Sequence, residues 1–296
     1  MNEAISIKKL SKRFGQFYAL KEIDMRVKSG EIFGFIGPNG AGKTTTIRIL
    51  LGILKATSGT ATIFGKDVWT DAVQIHKRLA YVPGDISLWP NLTGGEVIDY
   101  LIRLRGCNGP NRRAELIDLF DLDPTKKCRT YSKGNRQKVA LIAALAVDAE
   151  LYLFDEPTSG LDPLMEKTFQ DQVLRIKEEG KTVLLSSHIL HEVEKLCDRV
   201  SIIKDGVIIE TGSLAELRHL TRTRISVETE QEIAGLETLE GIHDIRRSNN
   251  KTDFSVDTTR TNEVLAHLTQ FGVVKLASSP PTLEDLFLSH YENTRG

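Results

Sequence analysis

The chain has 296 residues, enough for one large domain or two smaller ones with a buried core. Its hydrophobic fraction of 40% and charged fraction of 27% are ordinary for a globular protein. The net charge of -1 lacks the basic excess that duplex binding requires, so we expect no nucleic acid partner. The longest apolar run, residues 139–147, is about half of a membrane-spanning helix, and the N-terminus lacks a signal peptide's apolar centre. We therefore expect a cytoplasmic chain that does not itself cross a bilayer.

The first predicted elements are apolar strands that lead into a glycine-rich loop. Residues 4–10 and 24–37 predict strands, and GPNGAGKT at 37–44 has the spacing G-x-x-x-x-G-K-[ST]. Taken alone, this match could also be a structural glycine turn that binds no ligand. Here an apolar strand precedes it and an apolar helix follows it, which is the context of a loop that wraps backbone N–H groups around phosphates. The predicted phosphate-binding residues are Gly37, Pro38, Asn39, Gly40, Ala41, Gly42, Lys43, Thr44 and Thr45.

Two side chains of this loop have predicted roles of their own. Lys43 is expected to reach the β and γ phosphates, and Thr44 to place its hydroxyl on Mg²⁺. The helix that follows points its positive N-terminal end at the phosphates. A nucleoside triphosphate with Mg²⁺ is therefore the predicted ligand.

Beyond the loop, strands and helices alternate. A helical region runs from about residue 93 to 149 and contains amphipathic segments with apolar residues at i, i+3, i+4 spacing. This alternation predicts an α/β fold, with a mostly parallel sheet covered by helices and the phosphate loop at the carboxyl end of a strand. The strands predicted from the sequence are residues 58–65, 151–156, 182–187 and 199–212, with a helix at 163–180.

Acidic and imidazole side chains follow two of these strands. Asp155 emerges at the end of the apolar strand LYLFDE, where it is expected to hold Mg²⁺ directly or through water. Glu156 is the next residue, and a carboxylate there is expected to orient or deprotonate the water that attacks the γ phosphate. The alternative is an acidic strand end exposed to solvent. His188 ends a Ser-Ser-His turn after the strand 182–187, where an imidazole is expected to meet the γ phosphate. Outside a nucleotide-binding fold, such a histidine would more often be an ordinary surface or core residue.

From about residue 219 the pattern changes. Strands at 224–230, 242–248, 252–258 and 273–277 alternate with a short helix at 232–239 and a helix at 261–272. The order βαββαβ predicts a small α+β, ferredoxin-like domain. On its second helix, Val264, Leu265, Leu268 and Phe271 share one face. The last segment, 282–291, carries the stripe Leu283, Leu286, Phe287 and Tyr291, which either packs on its own domain or faces a partner.

Four motifs, taken together, resemble a known family. GPNGAGKTT, YSKGNRQ ahead of the helix KVALIAALA, FDEPTSGLD and SSH have the order and spacing of the nucleotide-binding subunits of ABC transporters. The resemblance implies a P-loop ATPase domain over residues 1–218, with a helical subdomain at about 90–150 and an accessory domain at 219–296. It also implies that ATP and Mg²⁺ bind between two cassettes, with the phosphate loop of one facing the signature motif of the other.

The resemblance carries further residues into the site. Ser132 and Gly134 match the signature's serine and glycine, and Asp162 matches the acidic residue of the D-loop. Lys133 replaces a glycine of the usual LSGGQ, and a cation there is compatible with a γ phosphate. Phe14, in KRFGQF, falls where the family places an aromatic that stacks on adenine, although a lone aromatic is equally well a core residue.

The largest departure from the family lies at residues 81–85, YVPGD. The family commonly has an aromatic-x-Pro-Gln sequence there, and its glutamine touches Mg²⁺ and senses the membrane partner. Gly84 stands in place of that glutamine and has no side chain to act as a ligand. Either Asp85 supplies the oxygen ligand or water fills the position.

The resemblance also predicts the partners. A second cassette, identical or related, and a separately encoded membrane permease would hold the chain at the inner face of the cell membrane. A single cassette with a small C-terminal domain resembles bacterial exporters of drugs, antibiotics or lipids. The alternative is a soluble ABC-type ATPase acting on ribosomes or DNA. It is disfavoured because there is one phosphate loop and no coiled coil between Lys43 and Ser132.

Overall fold

A computed structural model describes residues 3–105, 112–219, 222–248 and 251–279. It separates the chain into two compact units, Met1–Thr211 and Gly212–Gly296, a few residues before the boundary predicted at 218. The strands up to this boundary are β1 (Glu3–Phe14), β2 (Phe17–Lys28), β3 (Ile32–Ile36), β4 (Ser58–Ile63), β5 (Lys66–Asp67), β6 (Leu79–Val82), β7 (Leu151–Asp155), β8 (Thr182–Ser187), β9 (Arg199–Lys204) and β10 (Val207–Ser213). The helices are α1 (Lys43–Leu50), α2 (Ala72–His76), α3 (Gly94–Leu104), α4 (Arg113–Leu119), α5 (Lys133–Leu145), α6 (Pro163–Glu178) and α7 (Leu190–Leu196).

The larger sheet has six strands in the order β10-β9-β3-β8-β7-β6. The pairs β3–β8, β3–β9, β7–β8 and β6–β7 are parallel, which confirms the predicted α/β fold. Its central strands IFGFI, LYLFD and TVLLSS are buried at every residue, as expected for parallel strands with both faces covered. Because parallel strands end at one edge, the turns after β3, β6, β7 and β8 lie along the same side of the sheet.

A second sheet of four strands, in the order β2-β1-β4-β5, was not predicted. Its pairs β1–β2, β1–β4 and β4–β5 are antiparallel, and β1 carries several register shifts. Helix α1 packs against β2 and β4 of this sheet and against β7 of the parallel sheet. A single core of buried side chains, including Ile5, Leu20, Phe35, Ile47 and Leu153, joins the two sheets and this helix.

The described part of the predicted helical region, residues 93–105 and 112–149, holds three α-helices, of which α3 and α4 pack against α5. Helix α3 begins at a capping box in which the Thr93 hydroxyl accepts from the Glu96 backbone N–H and the Glu96 carboxylate accepts from that of Thr93. Helix α5 is buried along most of its length, since small and aliphatic side chains fill it from Val139 to Leu145. This region places the turn 131–134 at the start of α5.

The second unit forms an antiparallel sheet in the order β12-β13-β11-β14. This order matches the predicted ferredoxin-like arrangement. Its elements are the helix α8 (Leu214–His219), the strands β11 (Arg222–Thr229), β12 (Ile242–Ser248) and β13 (Lys251–Asp257), the helix α9 (Thr261–Leu268) and the strand β14 (Val273–Ser279). Val264 and Leu268 are buried in its core, with Leu265 and Phe271 packed against them.

One helix prediction for this unit is wrong. In place of the short helix at 232–239 there is only a 3₁₀ turn at Leu236–Thr238. Gly235 precedes it with φ of 75°, in the left-handed region, so the backbone turns there instead of continuing a helix. The predicted stripe of 282–291 lies outside the described residues. Within the described part of the chain, every helix is too short or too polar to span a bilayer.

Candidate functional site

The turns that follow four parallel strands bring the predicted site together. Gly37 follows β3, Gly84 lies just beyond β6, Glu156 follows β7 and His188 follows β8. Because β3, β8, β7 and β6 are neighbours in that order, these turns lie side by side at one edge of the sheet. The arrangement is the one in which α/β sheets bind ligands, beyond the carboxyl ends of their strands.

The phosphate loop is shaped by close backbone contacts. Gly42, at the start of α1, has φ of 116°, and a Cβ there would lie 2.8 Å from the Ala19 carbonyl oxygen. Only glycine satisfies both conditions. Within α1, Thr46 is buried and donates its hydroxyl to the Gly42 carbonyl, whereas Thr44 is exposed. The loop therefore presents backbone N–H groups and the Thr44 hydroxyl at the positive end of a helix.

Lys43 connects the phosphate loop to the acidic strand. Its side chain is only 4% exposed, and its ammonium donates to the carbonyls of Gly37, at 2.6 Å, and Pro38, at 3.2 Å. The same Nζ lies 3.4 Å from Oε1 of Glu156, and Nδ1 of His188 lies 3.4 Å from that oxygen. Lysine, glutamate and histidine, predicted separately from three motifs, thus meet at one carboxylate oxygen.

Glu156 is held in an unusual backbone conformation. Its φ is 49°, in the left-handed region that a glutamate rarely adopts, and its N–H donates to the Ser186 carbonyl at 3.0 Å. Such conformations persist only where the surroundings enforce them, and they are frequent at functional sites. The carboxylate is a quarter exposed, so water reaches it while Lys43 and His188 fix its position.

Asp155 lies deeper than Glu156. It is 1% exposed and accepts a hydrogen bond from the Ser186 hydroxyl. Burial, reinforced by the negative charge of Asp155, raises the pKa of Tyr81 to about 12, so the tyrosine beside this carboxylate stays neutral. Ser186 was not singled out from the sequence, although the Ser-Ser-His turn that contains it was.

Gly84 packs directly against the acidic strand. A Cβ at Gly84 would lie 3.1 Å from the carbonyl oxygen of Asp155 and 3.7 Å from its carboxyl carbon. The backbone of the turn after β6 therefore occupies the space beside Asp155. The next residue, Asp85, is exposed. This places the departure from the family sequence directly next to the predicted Mg²⁺ ligand.

The donor set suits Mg²⁺ better than a metal with an all-protein cage. The described residues contain no group of three or more His, Cys, Asp or Glu side chains placed to hold a metal. Mg²⁺ characteristically takes one or two carboxylates, substrate phosphates and waters. A buried carboxylate at Asp155 and a hydroxyl at Thr44 fit that pattern.

The signature turn has a different construction. Ser132 is the N-cap residue of α5, and its hydroxyl accepts from the Asn135 N–H at 3.2 Å. Lys133 donates to the hydroxyl of Ser159 at 2.7 Å. A Cβ on Gly134 would lie 2.4 Å from the Gly160 carbonyl oxygen, so only glycine fits there. The turn is therefore packed against residues 159–160 of its own chain.

Asp162 has a structural role that was not predicted from the sequence. It directly precedes α6, and its side chain accepts hydrogen bonds from the N–H groups of Leu164, at 3.1 Å, and Met165, at 3.0 Å. This is a helix N-cap, with Pro163 at the first helical position. The contribution of Asp162 to a nucleotide site therefore has to be separated from its contribution to the helix.

Phe14 is on the surface and not in the core. It is 49% exposed at the end of β1, pairs with Phe17 across the hairpin, and has the Lys12 ammonium 4.9 Å from its ring centroid. The ring is therefore open to contact by a planar ligand, with one cation already placed over it.

One buried residue of the site was missed from the sequence. Glu192, on α7, is 2% exposed, and its Oε2 accepts from the hydroxyls of Ser187, at 3.0 Å, and Thr158, at 3.3 Å. His188 lies in the turn before α7, which begins at Leu190, so helical spacing gave no signal for this residue.

The fold and this cluster define a P-loop ATPase. The family profile described as "ABC transporter" matches residues 20–159, and that described as "ATP-binding protein DrrA1-3-like, C-terminal domain" matches residues 212–291. The chain is 32% identical over 303 residues to the bacitracin transport ATP-binding protein BcrA of Bacillus licheniformis, covering 97% of each chain. The chain belongs to the family of ABC transporter ATP-binding proteins.

Other similar proteins match about two thirds to three quarters of the chain. An uncharacterized ABC transporter ATP-binding protein of Synechocystis, sll0415, is 39% identical over 206 residues, which are 67% of this chain and 58% of that protein. Among solved structures, the ATP-binding subunit of an ABC transporter has a TM-score of 0.69 at 30% identity, over 73% of this chain and 92% of that one. A dimeric cassette bound to ADP and Pi in a post-hydrolysis state has a TM-score of 0.65 at 26% identity, over 71% and 98%.

Proposed function

We propose that this chain hydrolyses ATP with Mg²⁺ at the edge of its parallel sheet and thereby powers a separately encoded membrane permease. The observation that carries the proposal is the meeting of Lys43, Glu156 and His188 at one carboxylate oxygen beside the phosphate loop. Lysine binds phosphate, glutamate accepts a proton from water, and histidine contacts the γ phosphate, so the cluster holds the groups that ATP hydrolysis needs.

The side chains divide the work between binding and proton transfer. Lys43, already seated on the loop carbonyls, places a positive charge where the β and γ phosphates lie. Glu156, fixed between Lys43 and His188, orients the attacking water and accepts its proton at a carboxylate oxygen. The Thr44 hydroxyl and the Asp155 carboxylate would hold Mg²⁺, which supplies charge neutralisation on the phosphates.

The signature residues would act on the nucleotide of a second cassette. Ser132 and Gly134 lie at the positive N-terminal end of α5, where the backbone favours an anion, and Lys133 adds a cation. In the dimer, Asp162 would lie at the junction of the two chains and Phe14 would stack on adenine. The dimeric cassette among the similar structures supports this arrangement.

Export is the direction that the relatives favour. BcrA is named for bacitracin transport, the 36% identical DrrA of Streptomyces peucetius for daunorubicin and doxorubicin resistance, and LnrL of Bacillus subtilis for linearmycin resistance. The similarity to BcrA extends over both units of the chain. By this analogy, the permease exports a drug, antibiotic or lipid-like molecule and holds the chain at the inner face of the cell membrane.

Glu156→Gln tests the composite site. The variant is expected to bind ATP without hydrolysing it and to stay dimeric on size-exclusion chromatography with MgATP. Glu150→Gln is the matched control, because Glu150 precedes the same strand β7 that Glu156 follows and pairs with Arg78. A Glu156→Gln protein that hydrolyses ATP at the wild-type rate would exclude the assigned base, and one that stays monomeric would exclude nucleotide-driven pairing of the isolated chain.

The proposed association with a permease is tested by purifying tagged Glu156→Gln protein with ATP from its native cells. The proteins that accompany it are then identified by mass spectrometry. A membrane protein with many predicted spans supports the transporter. Ribosomal or DNA-bound proteins without such a partner would support the soluble alternative.

Asp85→Ala tests the departure at the turn after β6. If Asp85 replaces the family's glutamine as an oxygen ligand, the Mg²⁺ concentration for half-maximal hydrolysis rises. Exposed Asp244, on the second unit, provides the control substitution Asp244→Ala. An unchanged Mg²⁺ dependence in Asp85→Ala would leave water as the ligand at this position.

A further inference from the structure

Glu192 has an unusual environment for a carboxylate. It is 2% exposed, and both of its hydrogen bonds, from Ser187 and Thr158, reach the same oxygen, Oε2. Its other oxygen, Oε1, is buried without a hydrogen-bond partner among the described residues. Burying a carboxylate with so few donors is costly, so its presence calls for a role beyond packing.

The two donors belong to the two turns that carry the catalytic candidates. The Ser187 hydroxyl donates to Glu192 and accepts from the Ile189 N–H at 3.0 Å, so it bridges the residues on either side of His188. Thr158 lies in the turn closed by the Ser159 N–H bond to the Glu156 carbonyl, at 3.2 Å. Glu192 is thus bonded to both turns at once.

We propose that Glu192 is a positioning residue for hydrolysis, whose carboxylate ties the His188 turn to the Glu156 turn and so keeps these two side chains in contact. The inference rests on the proposed roles of Glu156 and His188. Glu192 touches neither of them directly and acts through Ser187 and Thr158. Loss of this tie would let the two turns move apart while the phosphate loop, which lies after β3, stays intact.

The first test separates positioning from binding. Glu192→Ala is expected to lower kcat for ATP by roughly tenfold to a hundredfold, because small displacements of catalytic groups have effects of this size. The Kd for ATP is expected to stay within about twofold, since the loop is untouched. Glu192→Gln keeps an oxygen that accepts from both hydroxyls and should restore most of kcat. Equal kcat in the wild type, Glu192→Ala and Glu192→Gln would overturn the proposal.

Glu31→Ala is the control for losing a buried carboxylate. Glu31 is 8% exposed, precedes β3 and accepts from the Lys28 N–H at 2.7 Å and from Arg199 at 3.2 Å. Both alanine variants should unfold at lower temperature, but only Glu192→Ala should lose kcat per folded molecule. If the two variants lose kcat equally, Glu192 contributes to stability alone and the proposal fails.

Thr158→Val decides the matter if Glu192→Ala does not fold. Valine has nearly the same shape as threonine and removes only the hydroxyl bond that joins Glu192 to the Glu156 turn. A fall in kcat of at least about threefold with unchanged ATP binding supports the tie, and an unchanged kcat overturns it. Glu156→Gln in the same assay keeps the two hypotheses apart, because full activity there would mean that the proposed base, and not the tie, is wrong.

Discussion

The phosphate loop and the signature turn both begin a helix, yet they are stabilised in opposite ways. Lys43 of the loop is buried and ion-paired with Glu156 of another strand's turn, so that half of the site is assembled within the chain. In the signature turn, the Ser132 side chain caps α5 and Lys133 donates a hydrogen bond to the neutral hydroxyl of Ser159. In the proposed mechanism, the first half would react with a nucleotide on its own chain, whereas the second would offer a helix terminus to a ligand brought by another chain.

This difference shows which contacts a cassette can form before it pairs. Strand ends in one sheet are fixed relative to each other, so charged groups placed there meet without a partner. The signature turn is packed against residues 159–160, and the positive end of its helix favours an anion that, in the proposed mechanism, a second chain would bring. Substitutions in the two regions should therefore affect different steps.

The largest effect is expected from Lys43→Ala. Removing the cation takes away the charge that faces the phosphates, and we expect hydrolysis to fall roughly 1000-fold, with weaker ATP binding. Steady-state ATPase assays and nucleotide binding by fluorescence measure the two effects. Lys133→Ala is the matching substitution in the signature turn. The monomer of this variant should bind ATP as tightly as the wild-type monomer does. Wild-type turnover in Lys43→Ala would remove the loop from the mechanism.

The next largest effect is expected on the free energy of unfolding, through the ionisation of Glu192 beside the phosphate-loop half of the site. Burial, and to a lesser extent the charge of Glu166, raises the pKa of Glu192 from 4.5 to about 7, while Ser187 and Thr158 oppose the shift. Between these values the folded chain binds more protons than the unfolded chain, so the free energy of unfolding falls as pH rises from about 4.5 to about 7. Cys197, at the end of α7, ionises only above this window because burial and Glu192 raise its pKa.

Glu192→Gln should remove this fall, which amounts to roughly 3 kcal/mol. Urea unfolding of the wild type and the variant at pH 5 and pH 8 measures it. The difference between the two proteins should favour the variant more at pH 8 than at pH 5. An identical pH dependence in both would show that Glu192 ionises as an ordinary carboxyl in the folded chain.

Gly134→Ala should have a smaller effect, confined to the signature half. The added methyl would lie 2.4 Å from the Gly160 carbonyl oxygen, so the start of α5 has to shift. We expect ATP-dependent dimerisation and hydrolysis to fall about tenfold, with ATP binding by the single chain unchanged. Analytical ultracentrifugation with MgATP on the Glu156→Gln background measures the dimer. If monomer binding of ATP falls instead, the two regions are not separable.

The smallest effect is expected at Asp162. Its side chain caps α6 through two backbone N–H groups, and Asp162→Ala should lower the free energy of unfolding by about 1 kcal/mol. Asp162→Ser keeps a capping oxygen and should restore that stability. Hydrolysis that remains low in Asp162→Ser would identify a second role for the carboxylate in the dimer. Full hydrolysis in both variants would leave Asp162 as a helix cap.

The local motifs were predictable because each depends on residues close in sequence. The phosphate loop, the apolar strand before Asp155 and the buried face of α9 follow from spacing alone. The antiparallel sheet of β1, β2, β4 and β5 was not predicted, because long-range pairing decides whether a strand joins one sheet or another. The helix predicted at 232–239 does not form because the backbone at Gly235 is left-handed, and the hydrophobic periodicity of the sequence does not show this.

By itself, the sequence determined that this is an ABC-type ATPase with a phosphate loop, an acidic strand and a second α+β unit, because ordered motifs and hydrophobic periods carry that information. The tertiary structure decided which side chains meet. It placed Glu156 between Lys43 and His188, and it buried Glu192 against the two turns that carry Glu156 and His188. Lys43 and Glu156 are more than 100 positions apart in the sequence, and they meet because parallel strands end at a common edge of the sheet.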